Sequence, residues 1–253
     1  MKLSVEIINQ LSDNYSYIIY KNNSNSSIVI DPAEAEKIIN LLRKKKLNLD
    51  YIFITHHHSD HTSGAMDLVK VYPKVKIFSP SKLDSLKTNT ISESDKIITT
   101  LNVFKIITAP GHTLDHIVLS DEENNLLFVG DVLFRLGCGR IFEGTFEQMQ
   151  KSLEKLLNLS DKMLVYSGHE YTLNNLKFLE HIFGNNNILE HAKKEIILDL
   201  NLTGRSIPFV LGEEKKCNPF LNQKCEMAAE FRNINKYTDH EFFSYLRGEK
   251  DSF

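Results

Sequence analysis

The stretch that decides how this chain is read is Tyr51-Ile52-Phe53-Ile54-Thr55-His56-His57-His58-Ser59-Asp60-His61. Its first four residues are a short apolar strand pattern, and they run straight into three histidines, an aspartate and a fourth histidine. Packed imidazoles and a carboxylate are costly to enclose unless they are paired or hold a cation. Such a cluster directly after a buried strand therefore points to a metal centre. Alternate residues of an extended chain share a side, so His56 and His58 can face one ion, and Asp60 with His61 can serve a neighbouring position. Imidazole and carboxylate donors without cysteine suit zinc, iron or manganese and argue against a purely structural zinc. His57 is expected to point away from the metals and takes no ligand role.

Working outward, three further candidates stand where a strand pattern ends: His112 in Gly111-His112-Thr113, Asp131 in Gly130-Asp131, and His169 in Gly168-His169-Glu170. A glycine before a ligand lets the backbone turn sharply and approach a compact centre. Around them, residues 3–8, 16–20 and 27–30 read as strands with Asp/Asn/Ser clusters between. Residues 33–46 read as a helix whose Ala35, Ile38, Ile39 and Leu42 share a face and whose lysines crowd the last turn. A helix is expected at 62–72, strands at 75–78, 101–107, 116–120 and 126–130, and a Gly-rich loop at 137–144. A helix at 145–158 and a last strand at 163–167 follow. From 171 onward the spacing turns helical, with a stop at Gly184 and further helices at 188–201, 226–235 and 239–247. The chain therefore reads as an α/β catalytic domain over 1–170 and a smaller α-helical domain over 171–253, the latter expected to bind substrate.

The chain has 253 residues, 42% of them hydrophobic and 25% charged, which is enough for a core without covalent staples. A formal net charge of −3 gives no reason to expect nucleic acid or an anionic membrane as partner. No apolar run approaches the roughly 20 residues that span a bilayer, and no signal peptide is evident at the start. Cys138, Cys217 and Cys225 are odd in number and scattered, so a disulfide framework is not expected and a reducing cytoplasm is. A monomer is expected.

The pattern Thr55-His56-x-His58-x-Asp60-His61, with the later Gly-His-Thr, Gly-Asp and Gly-His elements, resembles the metallo-β-lactamase superfamily. That resemblance implies an αββα sandwich with two metals at one edge. Carried over residue by residue, His56, His58 and His112 would hold the first ion, Asp60, His61 and His169 the second, and Asp131 would bridge both. Fold alone does not give a substrate.

A narrower resemblance runs nearly end to end. Asp13-Asn14-Tyr15, Leu136-Gly137-Cys138-Gly139-Arg140-Ile141-Phe142-Glu143-Gly144-Thr145, His169-Glu170-Tyr171-Thr172, Asn218-Pro219-Phe220 and the closing Arg247-Gly248-Glu249-Lys250-Asp251-Ser252-Phe253 are similar to elements of the glyoxalase II (hydroxyacylglutathione hydrolase) family. What it implies is hydrolysis of S-(2-hydroxyacyl)glutathione, such as S-D-lactoylglutathione, to glutathione and a 2-hydroxy acid, the second step of methylglyoxal detoxification. The nucleophile would be a hydroxide bound between two divalent ions, Zn²⁺ by first expectation, with Fe or Mn suiting the same donors. Asp60 would also orient it. Arg140, Phe142, Tyr171, Arg247 and Lys250 match the family's substrate-binding positions. A thiol ionises near pH 8.5, so the leaving group needs no strong acid. Cys138 reads as a packing residue.

The chain departs from the family pattern at Ser63, at Asn222, where many members carry arginine, and at Phe142, a position that can be tyrosine. None is a proposed ligand. A glutathione persulfide dioxygenase of the same fold, with one iron, and a non-catalytic metal-binding module are the alternatives. The first lacks the Arg-x-x-Lys-Asp tail, and the intact set of seven donors argues against the second.

Overall fold

The computed structural model of the chain describes residues 3–83, 86–184 and 186–253, and the chain folds as two units. The first unit comprises Met1–Thr108 and Asp115–Gly130. Its elements are β1 (Ser4–Gln10), β2 (Asn14–Tyr20), β3 (Ser26–Ile30), α1 (Glu36–Lys45), β4 (Asn48–Phe53), α2 (Ser59–Thr62), α3 (Ala65–Val71), β5 (Lys76–Ser79), β6 (Thr88–Thr90), β7 (Lys96–Ile98), β8 (Val103–Thr108), β9 (Ile117–Asp121) and β10 (Leu126–Gly130).

Strands β1 to β6 lie in one sheet in chain order, antiparallel from β1 to β3 and parallel from β3 to β6. Strands β10, β9, β8 and β7 pair antiparallel in a second sheet. Strand alternation decides what each face of β4 meets. Ile52 and Ile54 join a cluster with Ile38 and Leu42 of α1 and Leu68 of α3 on the helical side. Phe53, between them, packs edge-on against Phe104 of β8 with ring centroids 5.1 Å apart. Tyr17 of β2 meets Phe128 of β10 in the same way at 5.3 Å. Both faces of the first sheet are thus covered, so β2 and β3 are buried along their whole length. Their ends, residues 17–20 and 28–30, are uninterrupted by small polar residues for that reason.

The second unit comprises Ala109–Leu114 and Asp131–Phe253. It contains β11 (Leu133–Phe134), β12 (Gly137–Cys138), α4 (Phe146–Leu157), β13 (Leu164–Ser167), α5 (Thr172–Phe183), α6 (Asn187–Thr203), β14 (Phe209–Val210), α7 (Leu211–Cys217), α8 (Glu226–Asn235) and α9 (Asp239–Ser252). Local chemistry sets the helix ends. Thr145 with Gln148 and Thr238 with Glu241 form capping boxes at α4 and α9, and the Asn186 side chain caps α6. Gly184 and Gly204 end α5 and α6 at φ of 63° and 72°. Phe178, Phe220, Phe242 and Phe243 are fully buried among these helices.

The elements expected from the sequence are present with shifted ends. The helix expected at 62–72 begins only at Ala65, because Ser59–Thr62 forms a separate turn, α2. The expected strand at 101–107 is β8, and α9 runs on through the basic tail to Ser252. Strands β6, β7, β11, β12 and β14 and helix α7 were not expected, β12 lying at the start of the expected Gly-rich loop; they are two to seven residues long and too short for a period to show. Among the described residues no helix is long and apolar enough to cross a membrane.

Candidate metal centre

Each unit carries part of the donor set. In the first, β3 ends just before Asp31, whose backbone is left-handed with φ of 49°, and β4 ends two residues before Thr55. Aspartate tolerates that region better than most residues because its short side chain bonds locally. The buried Asp31 carboxylate accepts from the Thr55 amide through Oδ1 at 2.8 Å and from the Thr55 hydroxyl through Oδ2 at 2.7 Å. Its Oδ2 also lies 3.1 Å from Nδ1 of His61.

Those bonds set the histidine tautomers. A carboxylate only accepts, so the proton between Asp31 and Thr55 belongs to the hydroxyl. The hydroxyl oxygen then has a lone pair for Nδ1–H of His56, 3.0 Å away. Likewise His61 donates Nδ1–H to Asp31. In its neutral form each ring then has Nε2 free of a proton, the form that binds a metal. Nε2 of His56 stands 3.1 Å from Nδ1 of His58, and Nε2 of His61 stands 3.5 Å from Oδ2 of Asp60. The Asn14 amide donates to Asp60 Oδ2 at 2.9 Å and holds it in place. His116 stacks on the His56 ring at 4.6 Å. Gly130, φ 48°, leaves room for both: a Cβ there would lie 2.6 Å from Thr55 Oγ1 and 2.8 Å from His116. His57 faces elsewhere, with Nδ1 3.0 Å from Asp115 and the side chain 41% exposed.

In the second unit, Oδ2 of Asp131 lies 3.4 Å from Nε2 of His112 and 3.3 Å from Nε2 of His169. All three side chains are buried. Nδ1 of His112 lies 2.7 Å from the backbone oxygen of Arg140. A carbonyl only accepts, so this ring too carries a proton on Nδ1, and in its neutral form Nε2 is the metal-binding nitrogen. Gly139 lets the loop pass so close, since a Cβ there would sit 1.9 Å from the Asp131 carbonyl oxygen. His169 and Tyr171 stack at 4.8 Å and 6° from parallel, with the Phe134 edge 5.0 Å from the tyrosine ring.

This donor set suits a divalent cation of borderline softness. Three rings present Nε2 with Nδ1 tied to an oxygen, two carboxylates stand beside imidazoles, and no thiolate is present. A buried carboxylate such as Asp131 is costly to ionise without positive charge beside it.

The residues expected at the substrate all lie in the second unit. Arg140 is exposed, with Nε 3.6 Å from Asp251 Oδ1 and its guanidinium 5.7 Å from the centre of the Phe142 ring. Arg247 is only 3% exposed: it donates to the Cys138 carbonyl at 3.0 Å, to the Gly139 carbonyl at 3.4 Å and to Asp251 at 3.0 Å. It therefore braces the Arg140 loop as well as adding charge. The Lys250 ammonium lies over the Phe178 ring at 4.9 Å. Burial, and next the Arg247 charge, lower its pKa to about 8. Tyr171 and Phe142 are both exposed. Burial pushes the Cys138 thiol up, so it is no nucleophile at neutral pH.

Sequence reasoning passed over Asp31 and the brace formed by Arg247. Asp31 could have been found from Asp31-Pro32 closing an apolar strand, as a polar residue at the end of a buried run.

A family model described as the metallo-beta-lactamase superfamily matches residues 11–169, and one described as hydroxyacylglutathione hydrolase C-terminus matches 170–253. A hydroxyacylglutathione hydrolase of Aliivibrio fischeri strain MJ11 is 38% identical, covering 99% of this chain and 100% of that one. Hydroxyacylglutathione hydrolase 1 of Vibrio vulnificus is 40% identical over 100% and 99%. Among solved structures, ETHE1 from Myxococcus xanthus shares the fold with a TM-score of 0.67 at 22% identity, covering 99% of this chain and 100% of that one.

Proposed function

Because the chain belongs to the hydroxyacylglutathione hydrolase family of the metallo-β-lactamase superfamily, we propose that it hydrolyses the thioester of S-D-lactoylglutathione to glutathione and D-lactate. It is a metal-dependent thioester hydrolase on an α/β fold with a C-terminal helical region. In this reading residues 1–170 are the catalytic domain and 171–253 the substrate-binding domain. The enzyme works as a cytoplasmic monomer on a small thioester, without nucleic acid or membrane.

His56, His58 and His112 would hold one ion, Asp60, His61 and His169 a second, and Asp131 would be shared. Zinc suits these donors first, and iron or manganese suit them too. Two divalent cations, when bound, supply a water acidified toward neutral pH and an electrophile for the thioester carbonyl. The protein's own groups do the rest. Asp60, held by Asn14, orients the water and accepts its hydrogen bond. Tyr171, held by its stack on His169, offers a hydroxyl to the glutathione backbone. The leaving thiol has an ordinary pKa of about 8.5, so it departs as thiolate without a dedicated acid.

The observation that carries the substrate is the meeting of loop and tail. Arg140 and Arg247 both lie within ion-pair distance of one oxygen of Asp251, with Lys250 beside them. Two guanidiniums share one carboxylate, and the Lys250 ammonium adds positive charge near Arg247, in a chain of net charge −3. Glutathione brings two carboxylates to such a place. The test is release of glutathione from S-D-lactoylglutathione by the metal-replete protein. Turnover that disappears with a chelator and returns with metal is the expected result; no turnover at two metals per chain would overturn the reading.

A further inference from the structure

The Asn218-Pro219-Phe220 element directly follows α7, while Arg247 and Lys250 stand one turn apart on α9. Residues three apart on a helix share a face. Two fully buried rings meet these cations. The Arg247 guanidinium lies 5.7 Å from the centre of the Phe220 ring. The Lys250 ammonium lies 4.9 Å from that of Phe178, a residue of α5. The two rings are themselves neighbours, with centroids 6.0 Å apart and planes 34° from parallel.

Both cations are short of other partners. Arg247 uses Nη1 and Nη2 on Cys138, Gly139 and Asp251, but its enclosed Nε has no hydrogen bond. The half-buried Lys250 ammonium makes no hydrogen bond or ion pair among the described residues. A charge withdrawn from water needs a substitute for its hydration. The electron-rich face of an aromatic ring is one, and it acts within about 6 Å. A carboxylate in the same place would occupy the cation, whereas a ring holds it and leaves N–H groups for an incoming anion. Phe220 is itself held. Asn218 Oδ1 accepts from the Phe220 amide at 3.0 Å, and Asn218 Nδ2 donates to the carbonyls of Phe134 at 3.2 Å and Gly137 at 3.1 Å. One side chain thus ties the ring to the β11–β12 hairpin, which leads into the Arg140 loop.

From these placements we propose that Phe178 and Phe220 are positioning residues for the substrate: their ring faces seat Lys250 and Arg247 and present them, still charged, to the carboxylates of the glutathione moiety. The proposal rests on the reading that these cations receive glutathione. A ring that only fills the core acts through its shape; a ring that seats a cation acts through the electron density of its face.

The test keeps the shape and changes the face. Pentafluorophenylalanine is close to phenylalanine in size but has an electron-poor face. With it in place of Phe178 or of Phe220, calorimetric titration of the full-length, metal-replete protein with glutathione should show binding weakened about threefold or more. A monofluorinated ring should fall between. KM for S-D-lactoylglutathione should rise in parallel, with little change in kcat. Phe243 is the control: it is fully buried and meets Phe220 edge-on at 6.4 Å, but among the described residues no cation lies over it. Fluorinating it should leave affinity and KM unchanged. Parent affinity with either Phe178 or Phe220 fluorinated, or an equal loss from fluorinating Phe243, would overturn the seat while Lys250→Met still weakens binding. If Lys250→Met binds glutathione as the parent does, the substrate reading fails, and the seat with it.

Discussion

Oδ2 of Asp31 lies 3.1 Å from Nδ1 of His61, with the two side chains 3% and 1% exposed. The same carboxylate holds the amide and hydroxyl of Thr55, which in turn faces Nδ1 of His56. One residue outside the proposed ligand set thus orients two proposed ligands. Asp31→Asn places an amide donor where only acceptors serve. Metal affinity should fall about 10- to 100-fold, read by competition with a chromophoric chelator. Thr55→Val should cost less, since His61 keeps its partner. Unchanged affinity in Asp31→Asn would show that the ligand rings are set by other contacts.

Gly139 packs so tightly on the Asp131 backbone that any Cβ would overlap the carbonyl oxygen, at 1.9 Å. Gly139→Ala must therefore displace either the loop or Asp131. We expect metal content per chain, measured by elemental analysis, to fall. The melting temperature should drop with it, by the equivalent of about 1–3 kcal/mol for an overpacked contact. Full metal content in that variant would mean that the loop moves and Asp131 stays.

Lys250, lowered to about 8 by burial first and by Arg247 second, is charged only below that pH. An anionic substrate needs the charged form. Because kcat/KM reports ionisations of the free enzyme, it should decline as pH rises through about 8. Lys250→Met should lose that limb and raise KM about tenfold or more with a smaller change in kcat. A limb that persists in the variant would assign it to another group. Arg247→Ala should raise KM too, and should also destabilise the fold, since its guanidinium is enclosed against backbone carbonyls.

Glu214 is raised to about 7, chiefly by burial. A carboxyl whose folded pKa lies above its unfolded value of 4.5 favours the fold most when protonated. Its contribution is therefore complete below about pH 4.5 and is lost as pH rises through about 7. By linkage the loss is about 3 kcal/mol. Glu214→Gln, which stays neutral, should be more stable relative to the parent at pH 8 than at pH 5, compared by denaturant unfolding. A difference that does not vary with pH would place the carboxyl in a more hydrated setting.

Much of the site could be read from residue order. The cluster after β4 and the three Gly-preceded candidates follow the local rule that ligands stand where buried strands end. His57 could be set aside by alternation alone. What could not be read was how each ring is held, because Asp31 lies 24 residues from Thr55 and 30 from His61 along the chain. A hydrogen bond between such distant positions leaves no period or spacing in the sequence. Arg247 and the Cys138 carbonyl are 109 residues apart and equally silent.

By itself, then, the sequence determined the kind of donors, the strand ends that carry them and the family, because these depend on residue identity and on short repeats of two or 3.6 residues. Only the tertiary structure decided that Asp31 orients His61 and His56, that Arg247 braces the loop of Arg140, and that Glu214 is enclosed. Those facts depend on which side chains lose their water and which groups replace it, and folding brings those groups from distant parts of the chain. The Thr55–His61 stretch names the chemistry; the Asp31 carboxylate behind it sets the angle at which that chemistry is presented.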